Sequence, residues 1–226
     1  GVSADGRYAA LVSLGDDAEN GRLQIVLADT ISGERKRVTT GIDGLPASAN
    51  CAAASISADG RWVAYLSAAT NLVADDTDGT ADVFIYDRQT GLNRSLTANP
   101  PSGPLTGYAL DPLALSPDGR FVFFLWKGTE TTPEPYLAEL AGGQVVRLGL
   151  GPLTGYPRFC ADGSRMAAVF GTPGSTLVIE PASWFGSPPT HHVVASFTNH
   201  SYFALSGGGN RIAFLAAGAP GASTLR

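Results

Sequence analysis

The stretch "ISADGRWVAYLS", residues 56–67, decides the fold. A polar turn, Ser57-Ala58-Asp59-Gly60-Arg61, runs directly into an apolar stretch beginning at Trp62. The arrangement recurs as "VSADGRYAALVS" from Val2, "LSPDGRFVFFLW" from Leu115, "FCADGSRMAAVFG" from Phe159 and "LSGGGNRIAFLA" from Leu205. Five copies, spaced about 45 to 60 residues apart, indicate a chain built from one repeated supersecondary unit.

The third copy shows the turn chemistry most plainly. Ser116 suits the first position of a type I turn, Pro117 presets φ at the second, Asp118 tolerates the third, and Gly119 supplies the positive φ that follows. Such a turn closes a hairpin with a bulge. Ala4, Ala58 and Ala161 stand where this copy has proline, at little expected cost, and the fifth copy keeps Ser206 and Gly209 without the aspartate.

The runs after each turn, residues 8–12, 62–66, 121–126, 166–170 and 212–216, are apolar without alternation. A strand of that kind is expected to be covered on both faces. A third strand (23–28, 83–86, 136–140, 176–179) and a more polar outer strand (36–39, 94–97, 145–148, 193–196) complete each unit. Middle strands covered twice and outer strands carrying charge are expected of a β-propeller, in which small four-stranded antiparallel blades pack face to face around an axis. The units fall at about residues 1–40, 52–98, 107–149, 155–196 and 200–226. The first lacks an inner strand and the fifth lacks an outer one, so the sequence is expected to form about five blades of a longer chain. A five-bladed ring that closes imperfectly is the alternative.

Composition agrees with an all-β chain. The 226 residues are 44% hydrophobic and 15% charged, with 28 Gly and 15 Pro, which suits many short strands and tight turns. A net charge of −5 without a basic cluster argues against a nucleic-acid surface. No apolar run reaches the roughly 18 residues of a transmembrane helix. The sequence opens without Met and inside the repeated pattern, as expected of a mature chain or an excised segment.

The turn pattern, followed by "NLVADDTDGTADVFIYDRQTG" at residues 71–91, resembles the TolB-like, WD-repeat-like β-propeller family of bacteria. The second unit carries the resemblance almost throughout, the first and third in part, the fourth and fifth more weakly. The resemblance implies a six- to eight-bladed ring for the intact protein and a periplasmic or extracellular location. It also implies one of three roles: a protein-binding scaffold, a substrate-gating domain of a serine peptidase, or a metal-dependent polysaccharide lyase. Fold alone does not choose among them. The first is the expectation, as a non-catalytic module with a protein partner. The second is the alternative, with the hydrolase domain outside residues 1–226. The sequence holds no G-x-S-x-G nucleophile elbow.

The acidic loop is the sharpest local feature. Asp75, Asp76, Asp78 and Asp82 crowd one connection, with Gly79 at the bend. Hard oxygen ligands at alternate positions suit Ca²⁺, although the spacing is not that of an EF-hand and no Glu closes it. The competing reading is a solvated acidic turn that bonds its own backbone. The first unit has a partial counterpart in Asp16, Asp17, Glu19 and Asn20.

His191 and His192, adjacent in a strand, point to opposite faces and would not chelate together. With His200 they are the only imidazoles, and they read as rim residues more readily than as a catalytic metal site. Arg7, Arg61 and Arg120 share one repeat position, which indicates a structural role, either an ion pair or a stem packed on the next blade. Cys51 and Cys160 fall near opposite ends of the channel and are expected to be free, buried thiols. Tyr108 and Tyr156 end two copies of "GPLTGY" on connections of one face. They are candidate partner contacts, or packing residues between blades. Trp184 and Phe185 in "SWFGSPPTHH" are a further candidate pair if exposed, or fold back over the blade edge.

Overall fold

The first three repeated turns are each closed by one serine and one aspartate. In the second copy Ser57 Oγ donates to Asp59 Oδ1 at 2.6 Å, the Arg61 N–H donates to the same oxygen at 2.9 Å, and the Trp62 N–H donates to Ser57 Oγ at 2.9 Å. Ser3 with Asp5 and Ser116 with Asp118 repeat the pattern. In the fourth copy Cys160 takes the serine's place. Its thiol donates to Asp162 Oδ1 at 2.9 Å and its sulfur accepts from the Arg165 N–H at 3.2 Å. The turn therefore satisfies its own backbone, and the sequence repeats because the turn needs those groups.

The computed structural model describes residues 1–14, 21–98, 100, 105–170, 175–185, 191–196, 202–216 and 219–224. Within them the strands form five antiparallel meanders. The first contains β1 (Tyr8–Ser13), β2 (Gln24–Asp29) and β3 (Arg35–Arg37). The second contains β4 (Cys51–Ile56), β5 (Trp62–Ser67), β6 (Asp82–Asp87) and β7 (Leu92–Ser95). The third contains β8 (Tyr108–Leu115), β9 (Phe121–Lys127), β10 (Glu134–Glu139) and β11 (Val145–Arg147). The fourth contains β12 (Arg158–Phe159), β13 (Met166–Phe170), β14 (Ser175–Ile179) and β15 (His191–Ser196). The fifth contains β16 (Tyr202–Leu205), β17 (Arg211–Ala216) and β18 (Ala219–Thr224). Three sheets thus show the expected four strands, and Cys51 is the first residue of its inner strand.

The core lies between sheets. Along β5, Val63 and Tyr65 pack with Ile25 and Leu27 of the first sheet. The intervening Ala64 and Leu66 pack with Val122, Phe124 and Trp126 of the third. β6 divides in the same way, Phe84 and Tyr86 to one side and Val83 and Ile85 to the other. Phe121 and Phe123 carry the packing on to Met166 and Phe170 of the fourth sheet. Alternate residues serve alternate neighbours, so a continuous apolar run with a period of two buries both faces.

β1 departs from that expectation. Its run is equally apolar, yet Leu11 and Val12 are 44% and 43% exposed. Only the side of β1 that carries Ala10 joins the interface with the second sheet. Burial on both faces depends on a neighbour at each side, and the run alone does not supply one.

Two contacts repeat from sheet to sheet on the rim formed by the serine–aspartate turns. The aromatic after one turn sits on the glycine of the next. A Cβ on Gly60 would lie 2.4 Å from the Tyr8 ring, and a Cβ on Gly119 would lie 2.5 Å from the Trp62 ring. These glycines therefore serve both a positive φ, 68° and 70°, and a seat for the neighbouring ring. The turns are also joined by backbone hydrogen bonds, from Ala4 N–H to the Ala58 carbonyl and from Ala58 N–H to the Pro117 carbonyl, each 2.8 Å. Pro117 has no N–H to pass on, and the pattern resumes from Ala161 N–H to Gly207.

Candidate metal centre

The acidic loop is built from both ends. It leaves β5 at Ser67 and returns at Asp82, the first residue of β6. Leu72 and Val73 enter the core between the first two sheets. Asn71 ties the loop to the connection between those sheets. Its Nδ2 donates to the Pro46 carbonyl at 3.0 Å and to the Asp43 carboxylate at 3.2 Å. Its Oδ1 accepts from Ser48 N–H and its carbonyl from Ile42 N–H. The aspartates are thus presented from a frame fixed by packing and hydrogen bonds.

Asp76, Asp78 and Asp82 converge, each bringing a carboxylate oxygen within 4.8 Å of the others. Asp76 and Asp82 are each 2% exposed, whereas Asp78 lies at the surface. Asp78 Oδ1 accepts from both Thr80 N–H and Thr80 Oγ1. Asp82 Oδ1 accepts a short hydrogen bond from Thr97 Oγ1, which itself accepts from Val83 N–H. Asp76 Oδ2 is buried without a donor. Burial, then the charges of Asp82, Asp78 and Asp75, pushes the Asp76 carboxyl up to about 6. Burial, opposed by the Thr97 bond, pushes Asp82 to about 6 as well. Asp75 stands outside the group. It is exposed and lines a groove of about 460 Å³ with Trp62 and Arg94.

The first sheet offers an internal comparison. Gln24 occupies the place of Asp82, opposite Ser13 as Asp82 is opposite Ser67. Thr39 bonds Gln24 Oε1 at 2.8 Å as Thr97 bonds Asp82. The neutral amide is completed by the backbone, accepting from Ala47 N–H at 3.1 Å and donating to the Ala47 carbonyl at 3.4 Å. Asp16, Asp17, Glu19 and Asn20 lie outside the described residues.

The other candidates separate. Tyr108 begins β8 and is 43% exposed; Tyr156 precedes β12 and is 66% exposed. Trp184 and Phe185 do not form an exposed pair. They close a 3-10 turn, Pro181–Phe185, and pack on the core between the third and fourth sheets, Phe185 stacking on Phe121 at 5.7 Å. That stacking outweighs exposure for a large apolar ring. Arg7 pairs with Asp29 at 2.9 Å, and Arg61 holds Asp87 with two hydrogen bonds of 3.0 Å, both structural contacts within one sheet. Cys51 and Cys160 are free and buried. For His191 and His192 the backbone alone is described, within β15, and His200 lies outside the described residues.

Sequence reading missed Asn71 and Thr97, the two side chains that anchor the acidic loop. Their partners are 25 and 15 residues away, beyond the reach of a local pattern.

The meanders, each packed through alternate residues on the next, are matched across the chain by solved structures. TolB from Acinetobacter baumannii is 19% identical and superposes with a TM-score of 0.52 over 96% of this chain and 47% of its own. The Cps50 (Swd1) β-propeller domain from Myceliophteria thermophila is 14% identical, with a TM-score of 0.56 over 96% of this chain and 61% of its own. The fold is a TolB-like, WD-repeat-like β-propeller. A prolyl endopeptidase matches the propeller at 16% identity and a TM-score of 0.55, over 95% of this chain and 31% of that one. The chain therefore spans less than two thirds of each of these three proteins. No family model matches the sequence, and no curated protein matches it significantly. Among the described residues no helix is long and apolar enough to cross a membrane.

Proposed function

We propose that this propeller is a non-catalytic module that binds a protein partner in a larger assembly, in the periplasm or outside the bacterial cell. The observation that carries the reading is the pair Tyr108 and Tyr156. They end the two GPLTGY copies, Tyr108 as the first residue of β8 and Tyr156 two residues before β12, and both are exposed, at 43% and 66%. Exposed tyrosines supply large contact area at low side-chain entropic cost, which favours a protein surface as partner. The location follows from the TolB-like resemblance.

The test uses the full chain, immobilised, and an envelope extract of its source bacterium. Wild type and a Tyr108→Ala/Tyr156→Ala variant are compared by quantitative mass spectrometry, after circular dichroism shows equal folding. A defined set of proteins retained by wild type and lost by the variant supports the reading. Equal retention by both, or none by either, overturns it.

A second reading is favoured by the match to a prolyl endopeptidase, of which this chain covers less than a third. There the propeller would gate a hydrolase domain encoded in the same parent chain. Sequencing the parent gene separates the two: a G-x-S-x-G domain beyond these residues supports gating, and its absence leaves binding.

A further inference from the structure

We propose that Asp76, Asp78 and Asp82 bind one Ca²⁺ ion, which fastens the β5–β6 loop to the second blade. The proposal rests on the fold and on these side chains, not on the partner-binding reading above.

Three observations combine. Three carboxylates from a seven-residue stretch bring an oxygen each within 4.8 Å. Two of the three are buried, and among the described residues no Lys or Arg pairs with any of them. Asp76, 2% exposed, faces this group with Oδ2 lacking any donor. A buried carboxylate oxygen with no partner is costly, and like charges at this separation add to the cost. A bound cation removes both penalties together.

The first blade shows that the fold itself does not require charge here. Gln24 fills the position of Asp82, keeps the threonine bond, and satisfies its remaining atoms on Ala47. In the second blade that neutral, self-satisfied amide is replaced by a carboxylate, and Asp76 is brought against it. Charge has been added at a buried place that functions without it.

The chemistry selects the ion. All donors are hard oxygens, which disfavours Zn²⁺, whose protein sites are built mainly from nitrogen and sulfur. Carboxylates on a bent loop suit the flexible six- to eight-fold oxygen shell of Ca²⁺. Mg²⁺ demands a near-ideal octahedron and keeps its waters.

The test uses purified full chain, stripped with chelator and dialysed free of it. Calorimetric titration with CaCl₂ is expected to saturate at one ion per chain, and Ca²⁺ to raise the melting temperature. Mg²⁺ at equal concentration should give a smaller shift. Asp76→Asn should weaken Ca²⁺ by roughly tenfold or more, as ligand charge sets affinity in such sites. Without calcium, Asp76→Asn should melt no lower than wild type, because it removes a buried charge crowded by like charges and with one oxygen unpartnered. That second measurement separates loss of a ligand from loss of folding. Absence of binding heat with unchanged melting overturns the proposal. So does an Asp76→Asn variant that folds and responds to Ca²⁺ like wild type, or an equal response to Mg²⁺.

Discussion

The N–H of Ala109, in the inner strand of the third blade, donates to the carbonyl of Ala81 at 2.6 Å. Ala81 is the last residue of the acidic loop and Ala109 follows the exposed Tyr108, so the loop of one blade sets where the next begins its rim. The two features that stand out at this rim are therefore neighbours through one backbone contact.

Asn71 holds the other end of that loop. Asn71→Ala removes the bonds to Pro46, Asp43 and Ser48 together and leaves the Ser48 N–H without its acceptor. We expect a loss of about 1–3 kcal/mol in denaturant unfolding. Hydrogen exchange at Ala109 should also speed up, because its acceptor lies on the loosened segment. Unchanged exchange there would show that the two ends of the loop are independent.

The glycine seats give a paired test. Gly6 has a φ of 73° with open space where a Cβ would stand, so Gly6→Ala should cost about 1 kcal/mol from backbone conformation alone. Gly60 has nearly the same φ but carries the Tyr8 ring. Gly60→Ala should cost distinctly more, about 2–4 kcal/mol, as overpacking adds to the backbone term. Equal melting temperatures for the two variants would refute the seat.

Ala58 donates to Pro117 while standing where the third blade has a proline. Ala58→Pro keeps the turn and deletes the link between the second and third blades. A loss of about 1 kcal/mol is expected, read as a lower denaturant midpoint. A gain in stability would mean that turn rigidity outweighs the link.

The acid limb is set by carboxyls held low. The hydrogen bond from Arg7 brings Asp29 down to about 2, and those from Cys160 and Ser164 bring Asp162 to about 2. An unfolded aspartate titrates near 3.9, so the folded form binds fewer protons between those values. The stabilisation is complete above about pH 5 and is lost progressively as pH falls through 4 to 2 and below. Wild type should therefore melt above Asp29→Asn at about pH 6, with the gap closing below pH 4. A gap as wide at about pH 2.5 as at pH 6 would contradict the assignment.

The turns were legible because their chemistry is local. Ser57, Asp59 and Gly60 bond within a few residues of one another, and the five copies reinforce one reading. Double burial of the middle strands was legible in β5, β6, β9 and β13 for a similar reason, since composition states it. It failed in β1, whose exposed Leu11 and Val12 depend on a neighbour the run cannot report. The acidic loop was visible as a crowd of aspartates. Which ones converge was not, because Asp75 and Asp76 are adjacent in sequence and face different surroundings. Phe185 illustrates the same limit, since its ring rests on Phe121, 64 residues earlier.

Pro117 leaves one boundary unstitched. From the first blade to the third, each turn hands a peptide proton to the next; at Pro117 the relay stops, and it restarts only between the fourth and fifth. Among the described residues, the third and fourth blades meet at that rim through side-chain packing alone. Cohesion across that boundary falls to the rings and side chains behind it, Phe121 and Phe123 against Met166 and Phe170.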